Sequence, residues 1–454
     1  MKSFNPATNE LIKEYPDHSP EEAAQIVDAS HQAWQSWKSS SFAERSAKLK
    51  ACAEVMRRRA EPLAQRITAE MGKSIKEARG EVEKCAWVCD YYAEEGPKML
   101  ADEMVQTQYH RSMVHFQPIG VVLAVMPWNY PFWQVWRFLA PALMAGNAGV
   151  LKHAGNVTGS ALDIESVVAE AGLPKDLFRT LVIGSRDVAE VIRHPKVRAV
   201  TLTGSEYAGS QVAMEAGKAL KKCVLELGGT DAFIVLADAD LDQAAATAAK
   251  SRMNNMGQTC IAAKRFIVEA PVAEAFGEKL KAQLEQYTPG DPADEGSRLC
   301  PLARPDLLEE IHEQVTRSVS QGAQLVTGGK KLDIPGNYYA PTLLKGITPK
   351  MAVYREEVFG PVASIIVAQS AEDAVAIAND SNYGLGGSLW TQDLEKGERL
   401  AKLVETGAIF VNQMTLSDPR LPFGGVKMSG YGRELSHYGI KEFMNIQTVV
   451  VNKL

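Results

Sequence analysis

The stretch Asn254-Asn255-Met256-Gly257-Gln258-Thr259-Cys260-Ile261-Ala262-Ala263-Lys264-Arg265 sets one cysteine among small and polar residues. A thiol that only fills a core stands in an apolar run, whereas these neighbours let solvent and a small molecule reach the sulfur. Cys260 is therefore a candidate nucleophile. Earlier in the chain stands Leu225-Glu226-Leu227-Gly228-Gly229-Thr230, a carboxylate flanked by leucines. An apolar surround raises a carboxyl group towards neutrality, where a general base works.

Around this pair, short apolar strands alternate with helices. Strands at 149–151, 180–183 and 199–202 are each followed by a helical pattern, at 157–171, 187–192 and 207–220. Further strands are expected at 232–236, 265–268, 324–326, 363–367 and 408–411. This is the rhythm of parallel βαβ units, whose sheets bind nucleotides at the carboxyl ends of their strands. The fold class is α/β, with two parallel-sheet domains meeting near Glu226. Residues 1–108 and 127–226 are expected to form a dinucleotide-binding domain and 227–436 a catalytic domain.

The N-terminal part is helical. Ser19-Pro20-Glu21-Glu22 is a capping box with proline at the first helical position, and a charged helical tract from 42 to 100 is expected to break near Pro62. Two strands, at 112–117 and 121–126, are joined by a Pro-Ile-Gly turn, and 446–451 is a strand with no evident partner. Exposed strand edges are commonly covered by another subunit. Segments 109–126 and 437–454 are therefore expected to form a small β oligomerisation flap of a homodimer or homotetramer. Asp238-Ala239-Asp240-Leu241-Asp242 mimics the start of a calcium loop but continues with Gln243 at position six and Ala249 at position twelve. It is better read as a helix N-cap.

Composition narrows the function. The 454 residues carry a formal net charge of -6, and the sequence pI is near 5.9, so nothing points to nucleic acid. Six cysteines without paired CxxC spacing argue against a disulfide framework or structural zinc. No run approaches the roughly 18 apolar residues of a membrane span, and the N-terminus lacks the apolar core of a signal peptide. A cytoplasmic setting is expected, with no metal.

Three further stretches carry chemistry. Thr203-Gly204-Ser205-Glu206-Tyr207-Ala208-Gly209 follows a strand and opens a helix, so its amides and the Ser205 hydroxyl can receive a pyrophosphate. Without a Walker lysine, ATP hydrolysis is not expected. Lys152 ends a parallel strand, where a cation suits a ribose or phosphate. Met126-Pro127-Trp128-Asn129-Tyr130-Pro131 ends another strand, its prolines holding Asn129 where its side-chain N–H can stabilise an oxyanion.

Together with Glu356-Glu357-Val358-Phe359-Gly360-Pro361 and Pro422-Phe423-Gly424-Gly425-Val426-Lys427-Met428-Ser429-Gly430, these blocks resemble the aldehyde dehydrogenase superfamily over essentially the whole chain and in motif order. The resemblance implies two Rossmann-like domains with a β flap, a small-molecule aldehyde as substrate and NADP or NAD as cofactor. It implies that Cys260 attacks the aldehyde, that Asn129 with the Cys260 backbone N–H holds the oxyanion, and that Glu226 activates the water that hydrolyses a thioester. Lys152 would hold the adenosine ribose, Gly204 and Ser205 the pyrophosphate, and Glu357 the nicotinamide ribose. Phe359 would lie beside the nicotinamide. Met126, Pro127, Trp128, Gly155, Gly209, Leu227 and Gly228 complete the cofactor set.

Arg137, in Trp133-Gln134-Val135-Trp136-Arg137, and Ser417 resemble the carboxylate-binding pair of bacterial succinate-semialdehyde dehydrogenases, with Phe423 a further substrate residue and the adjacent Trp133 and Trp136 favouring a short substrate. A broad-specificity enzyme, one for other ω-carboxy aldehydes, and a coenzyme A-acylating form are the alternatives. Three departures stand out. Asn254 replaces a second arginine found in some relatives. Ala262 replaces a second cysteine. Gly155 replaces a glutamate that would accept from a ribose 2′-hydroxyl, which leaves room for the 2′-phosphate of NADP.

Overall fold

The computed structural model describes residues 1–453. One sheet runs in the order Gly430–Tyr431, Lys222–Glu226, Val197–Thr203, Val121–Met126, Ala148–His153, Phe178–Thr180, parallel except at its first edge. Helices pack on its central strands, which explains why those strands are apolar throughout rather than alternating: Val121, Val122, Leu123 and Ala124 have no exposed surface. The second sheet runs Gln324–Thr327, Thr342–Lys345, Val362–Ala368, Arg265–Glu269, Ala232–Val235, Gly387–Trp390, Phe410–Val411, again parallel except at its first edge. Each sheet has its own core. In the second, Phe233 lies 5.4 Å from Phe266 and 5.5 Å from Trp390 by ring centroids. Each such buried aromatic contributes roughly 1.5–3 kcal/mol from water exclusion.

The N-terminal helices follow their caps. Ser19 accepts from the Glu22 amide at 3.2 Å while Glu22 accepts from the Ser19 amide at 2.7 Å. The tract from 42 onward forms Phe42–Arg58, Ala60–Met71 and Ile75–Met99. Its first break falls at Arg59 rather than at Pro62, because a proline in the first turn of a helix displaces no hydrogen bond. Asp240 caps the helix Leu241–Met253 by accepting from the amides of Asp242 and Gln243.

Two expectations need correction. The strands on either side of the Pro-Ile-Gly turn do not pair with each other. Arg111–Pro118 pairs antiparallel with Met444–Val451 over eight residues, so the C-terminal strand finds its partner within the chain. Val121–Met126 instead enters the middle of the first sheet, so segment 109–126 is not a single flap unit. Burial decides it: Arg111–Pro118 is mostly half-buried, whereas Val121–Met126 is closed on both faces. The second correction concerns the region 227–436, because Gly430–Tyr431 returns to pair with Leu225 and Glu226 on the edge of the first sheet. Among the described residues no helix is long and apolar enough to cross a membrane.

Candidate active site

Cys260 sits on a loop that leaves the helix Leu241–Met253 through three consecutive left-handed residues, Asn255 (φ 51°), Met256 (φ 55°) and Gly257 (φ 76°). Such conformations cost of order 1–3 kcal/mol for a non-glycine residue and persist only when the surroundings hold them. Here they are held. The Asn255 side chain donates to the carbonyls of Asn129 and Gln258 at 2.9 and 3.1 Å. Arg252 donates to the Gly257 carbonyl at 2.6 Å, and Lys264 Nζ donates to the Cys260 carbonyl at 2.5 Å and to that of Thr259 at 3.2 Å. A Cβ on Gly257 would stand 2.2 Å from the Gly360 carbonyl oxygen, so no other residue fits. Two buried cations thus fix the loop from behind, and the Cys260 backbone N–H is left without a backbone acceptor among the described residues.

Beside it, Asn129 follows the strand Val121–Met126 and donates to the Gln258 carbonyl at 3.1 Å. That leaves its second amide proton for a ligand; its buried Oδ1 has no partner among the described residues. Burial raises the Cys260 thiol to about 12, with Glu357 and Asp231 raising it further and Arg137 and Lys264 opposing. Burial thus favours the thiol over the thiolate in the resting site.

Cys260 lines two cavities. The larger, about 550 Å³, is walled by Pro127, Trp128, Gly204, Ser205, Gly228 and Phe359 among others, and lies at the carboxyl ends of the first sheet's strands. Its walls fit a dinucleotide. Ser205 caps the helix Glu206–Lys218 at its opening, Trp128 and Phe359 meet edge to face at 5.8 Å, and a Cβ on Gly228 would fill the place of the Glu357 carboxylate at 2.4 Å. Glu357 accepts from the Gly229 amide at 3.0 Å and pairs with Lys264 at 3.5 Å. Burial raises its carboxyl group while Lys264 opposes. Leu227 also lines this cleft. Gly209 lies beneath Leu227, and Met126 is buried in its strand. Lys152 and Gly155 stand at the end of the neighbouring strand and just beyond it, outside this lining, with Lys152 lowered by burial.

The smaller cavity, about 260 Å³, is lined by Lys84, Trp133, Arg137, Ser417, Phe423 and Cys260 among others. Arg137 lines this cavity and has partners within the protein as well. It is 1% exposed, forms an ion pair with Glu434 through Nε, donates to Thr203 Oγ1 at 3.2 Å and stacks on Phe423 at 4.4 Å. Its charge is already balanced. Arg137 thus lines the smaller cavity and also ties the helix Trp133–Met144 to the loop carrying Phe423 and Glu434.

Glu226 ends the strand Lys222–Glu226 and is 2% exposed. It lines neither cavity, and both its oxygens lack hydrogen-bond partners among the described residues. It points towards Gly424, whose added Cβ would meet Glu226 Oε1 at 2.7 Å. Burial pushes this carboxyl well above its ordinary range, the Glu434 charge adds to the effect, and Arg137 opposes it. A carboxyl held this way is a strong base once it ionises.

Sequence reasoning missed Lys84, Glu434, Arg252 and Lys264. Glu434 follows the Pro422–Gly430 motif too closely to be noticed separately, and Lys84 lies on a charged helix where a lysine is unremarked. Only packing distinguishes them.

A model described as the aldehyde dehydrogenase family matches residues 1–449. The chain is 48% identical over 449 residues, covering 99% of each, to a probable succinate-semialdehyde dehydrogenase [NADP(+)] of Synechocystis sp.. It is 45% identical over 447 residues, covering 98% of this chain and 97% of the other, to the succinate semialdehyde dehydrogenase [NAD(P)+] Sad of Escherichia coli. Among solved structures, a succinic semialdehyde dehydrogenase from Streptococcus pyogenes in complex with NADP+ superposes with a TM-score of 0.98 at 39% identity, covering 100% of both chains.

Proposed function

The chain belongs to the aldehyde dehydrogenase family, and from that premise we propose that it oxidises succinate semialdehyde to succinate with NADP or NAD as hydride acceptor. The observation that carries this is the position of Cys260, shared by a dinucleotide-sized cleft and a small pocket with cationic walls. Named relatives at 45–48% identity over nearly the full length support the substrate.

The Cys260 thiol gives up its proton to solvent water in the cleft, and the sulfur adds to the aldehyde carbon, the C–S bond forming as the carbonyl π bond opens. The carbonyl oxygen becomes an oxyanion that Asn129 Nδ2 and the Cys260 N–H stabilise, the kind of preorganised donor pair worth 10²–10³ in rate per donor, to order of magnitude. NADP or NAD, when bound, supplies a cationic ring that takes the hydride from this carbon and leaves a thioester on the sulfur. Pro127, Trp128, Gly204, Ser205, Leu227, Gly228, Glu357 and Phe359 would hold it, with Lys152 and Gly155 towards its adenosine end. Glu226 then removes a proton from water, the water oxygen bonds to the acyl carbon, the C–S bond breaks, and succinate leaves. Its raised basicity supports hydrolysis over transfer to coenzyme A.

We also propose a homodimer or homotetramer in the cytoplasm, joined through the paired strands Arg111–Pro118 and Met444–Val451, where Ile446 and Val450 are exposed apolar residues. The chemistry is tested by following reduced cofactor from succinate semialdehyde, butanal and benzaldehyde, with NADP and with NAD, with and without coenzyme A. Succinate semialdehyde should lead in kcat/KM, NADP should match or exceed NAD because Gly155 offers no anion, and coenzyme A should add nothing. Equal kcat/KM for succinate semialdehyde and butanal would defeat the substrate assignment.

A further inference from the structure

Lys264 meets three parts of the molecule at once, and its ammonium is enclosed, with the side chain 1% exposed. It donates to the carbonyls of Thr259, Cys260 and Ala262 at 3.2, 2.5 and 3.3 Å and stands 3.5 Å from Glu357 Oε1. That carboxylate oxygen also accepts from the Gly229 amide, and a Cβ added to Gly229 would lie 3.1 Å from the Cys260 carbonyl oxygen. The loop carrying the nucleophile, the turn after Glu226 and the wall of the larger cleft therefore converge on one nitrogen. Among the described residues Glu357 has no other cation within ion-pair distance, and Lys264 no other carboxylate.

A neutral donor would suffice to hold three carbonyls. A full charge so deeply enclosed carries a desolvation cost that a nearby carboxylate offsets, which ties the ionisation of Glu357 to Lys264. The Thr259 carbonyl and the Cys260 N–H belong to one trans peptide and point in opposite directions, so gripping the first aims the second. The charge also reaches the sulfur. The thiol, raised by burial, is lowered by Arg137 from the helix Trp133–Met144 and by Lys264 from its own loop, and raised by Glu357 and by Asp231, which precedes the strand Ala232–Val235.

We propose that Lys264 is a positioning residue that joins the two ends of the reaction: it aims the Cys260 N–H, brings a positive charge to the nucleophile's loop, and keeps Glu357 ionised to accept from the cofactor's ribose hydroxyls. This rests on the reading of the larger cleft as a dinucleotide site.

Two readouts test it, the first without cofactor or substrate. Alkylation of Cys260 by iodoacetamide is followed by peptide mass spectrometry across pH in the cofactor-free protein, and NADP binding by fluorescence titration. In Lys264→Met alkylation at neutral pH should slow on the order of tenfold, with the pH midpoint of its rate moved up, one unit of thiol pKa being tenfold in thiolate. NADP should bind on the order of tenfold more weakly, the scale of one hydrogen bond to a charged group. In Glu357→Gln, at a side chain that lines the cleft, alkylation should quicken several-fold, because an anion that opposes the thiolate is gone, while NADP weakens similarly. Lys264→Met added to Glu357→Gln should slow alkylation again yet cost no further NADP affinity, as for two residues acting through one contact.

Alkylation unchanged or faster in Lys264→Met would overturn the role, since a loop that merely loosened exposes its sulfur. So would NADP losses that add in the double variant. Should Lys264→Met fail to fold, Glu357→Gln decides alone: alkylation no faster than in the unaltered protein overturns the proposal. An unaltered protein that binds neither NADP nor NAD would remove the reading of the cleft, a failure distinct from any in the alkylation arm, and this proposal with it.

Discussion

On one side of Cys260 the wall consists mostly of strand-end loops, the turn after Val121–Met126, the Ser205 cap, the Leu227-Gly228 pair and the Glu357 loop, with the helix Pro305–Ser320 closing it. On the other side it consists of side chains from the helices Ile75–Met99 and Trp133–Met144 and from the loop at 415–423. The first presents backbone, small residues and aromatic faces, and suits a ligand shared by many enzymes. The second presents the cations Lys84 and Arg137, and suits one kind of aldehyde. A cavity of backbone resists change, whereas a cavity of side chains is re-specified by single substitutions.

The sulfur between them gives the largest expected effect. Cys260→Ser should lower cofactor reduction by about 10⁴–10⁶-fold, the scale on which removal of a covalent nucleophile acts, with binding of the cofactor retained by fluorescence titration. Undiminished oxidation in that variant would dissolve the comparison, since neither cavity would then lead to the reacting atom.

Glu226→Gln comes next. General-base assistance is worth roughly 10²–10⁴, so steady-state turnover should fall by that factor while a first burst of reduced cofactor survives, because the acylation half does not need the water. The pH dependence follows from the raised carboxyl group. Its basic form is depleted as pH falls, so thioester hydrolysis in the unaltered protein should slow towards acid pH, and that slope should vanish in the glutamine variant. Rapid-quench kinetics showing no burst would move Glu226 to the first half of the reaction.

The last prediction concerns Arg137, and its readout is stability rather than rate. Arg137→Met strands Glu434 beside Glu226 without its partner, and losing one member of a buried ion pair costs about 3–5 kcal/mol. Denaturant unfolding should register that loss. If stability instead held and only the preference for succinate semialdehyde collapsed, this side-chain wall would serve the substrate without serving the fold.

The cofactor side was largely legible in the chain. Its residues lie in short contiguous motifs that follow apolar strands, and a parallel sheet brings all strand ends to one edge. Asn129, Gly204, Gly228 and Glu357 were found that way, and all line one cleft. The substrate side was only half legible. Arg137, Ser417, Trp133 and Phe423 all line the smaller cavity, but the pairing of Arg137 with Glu434, nearly 300 residues later, could not be read from the chain. The flap was misdrawn for a related reason: local alternation could not tell that Val121–Met126 leaves its neighbour Arg111–Pro118 for another sheet.

What the chain alone determined was the α/β plan and the candidates for nucleophile, base and oxyanion donor, because chemistry of that kind demands particular residue types in short, recurrent contexts. What only the tertiary structure decided was which buried charges are already balanced. Glu434 meets Arg137 and Ser417 meets Lys84 across hundreds of residues of chain, and the free energy of a buried charge depends on who its neighbours are in space, which no local pattern encodes.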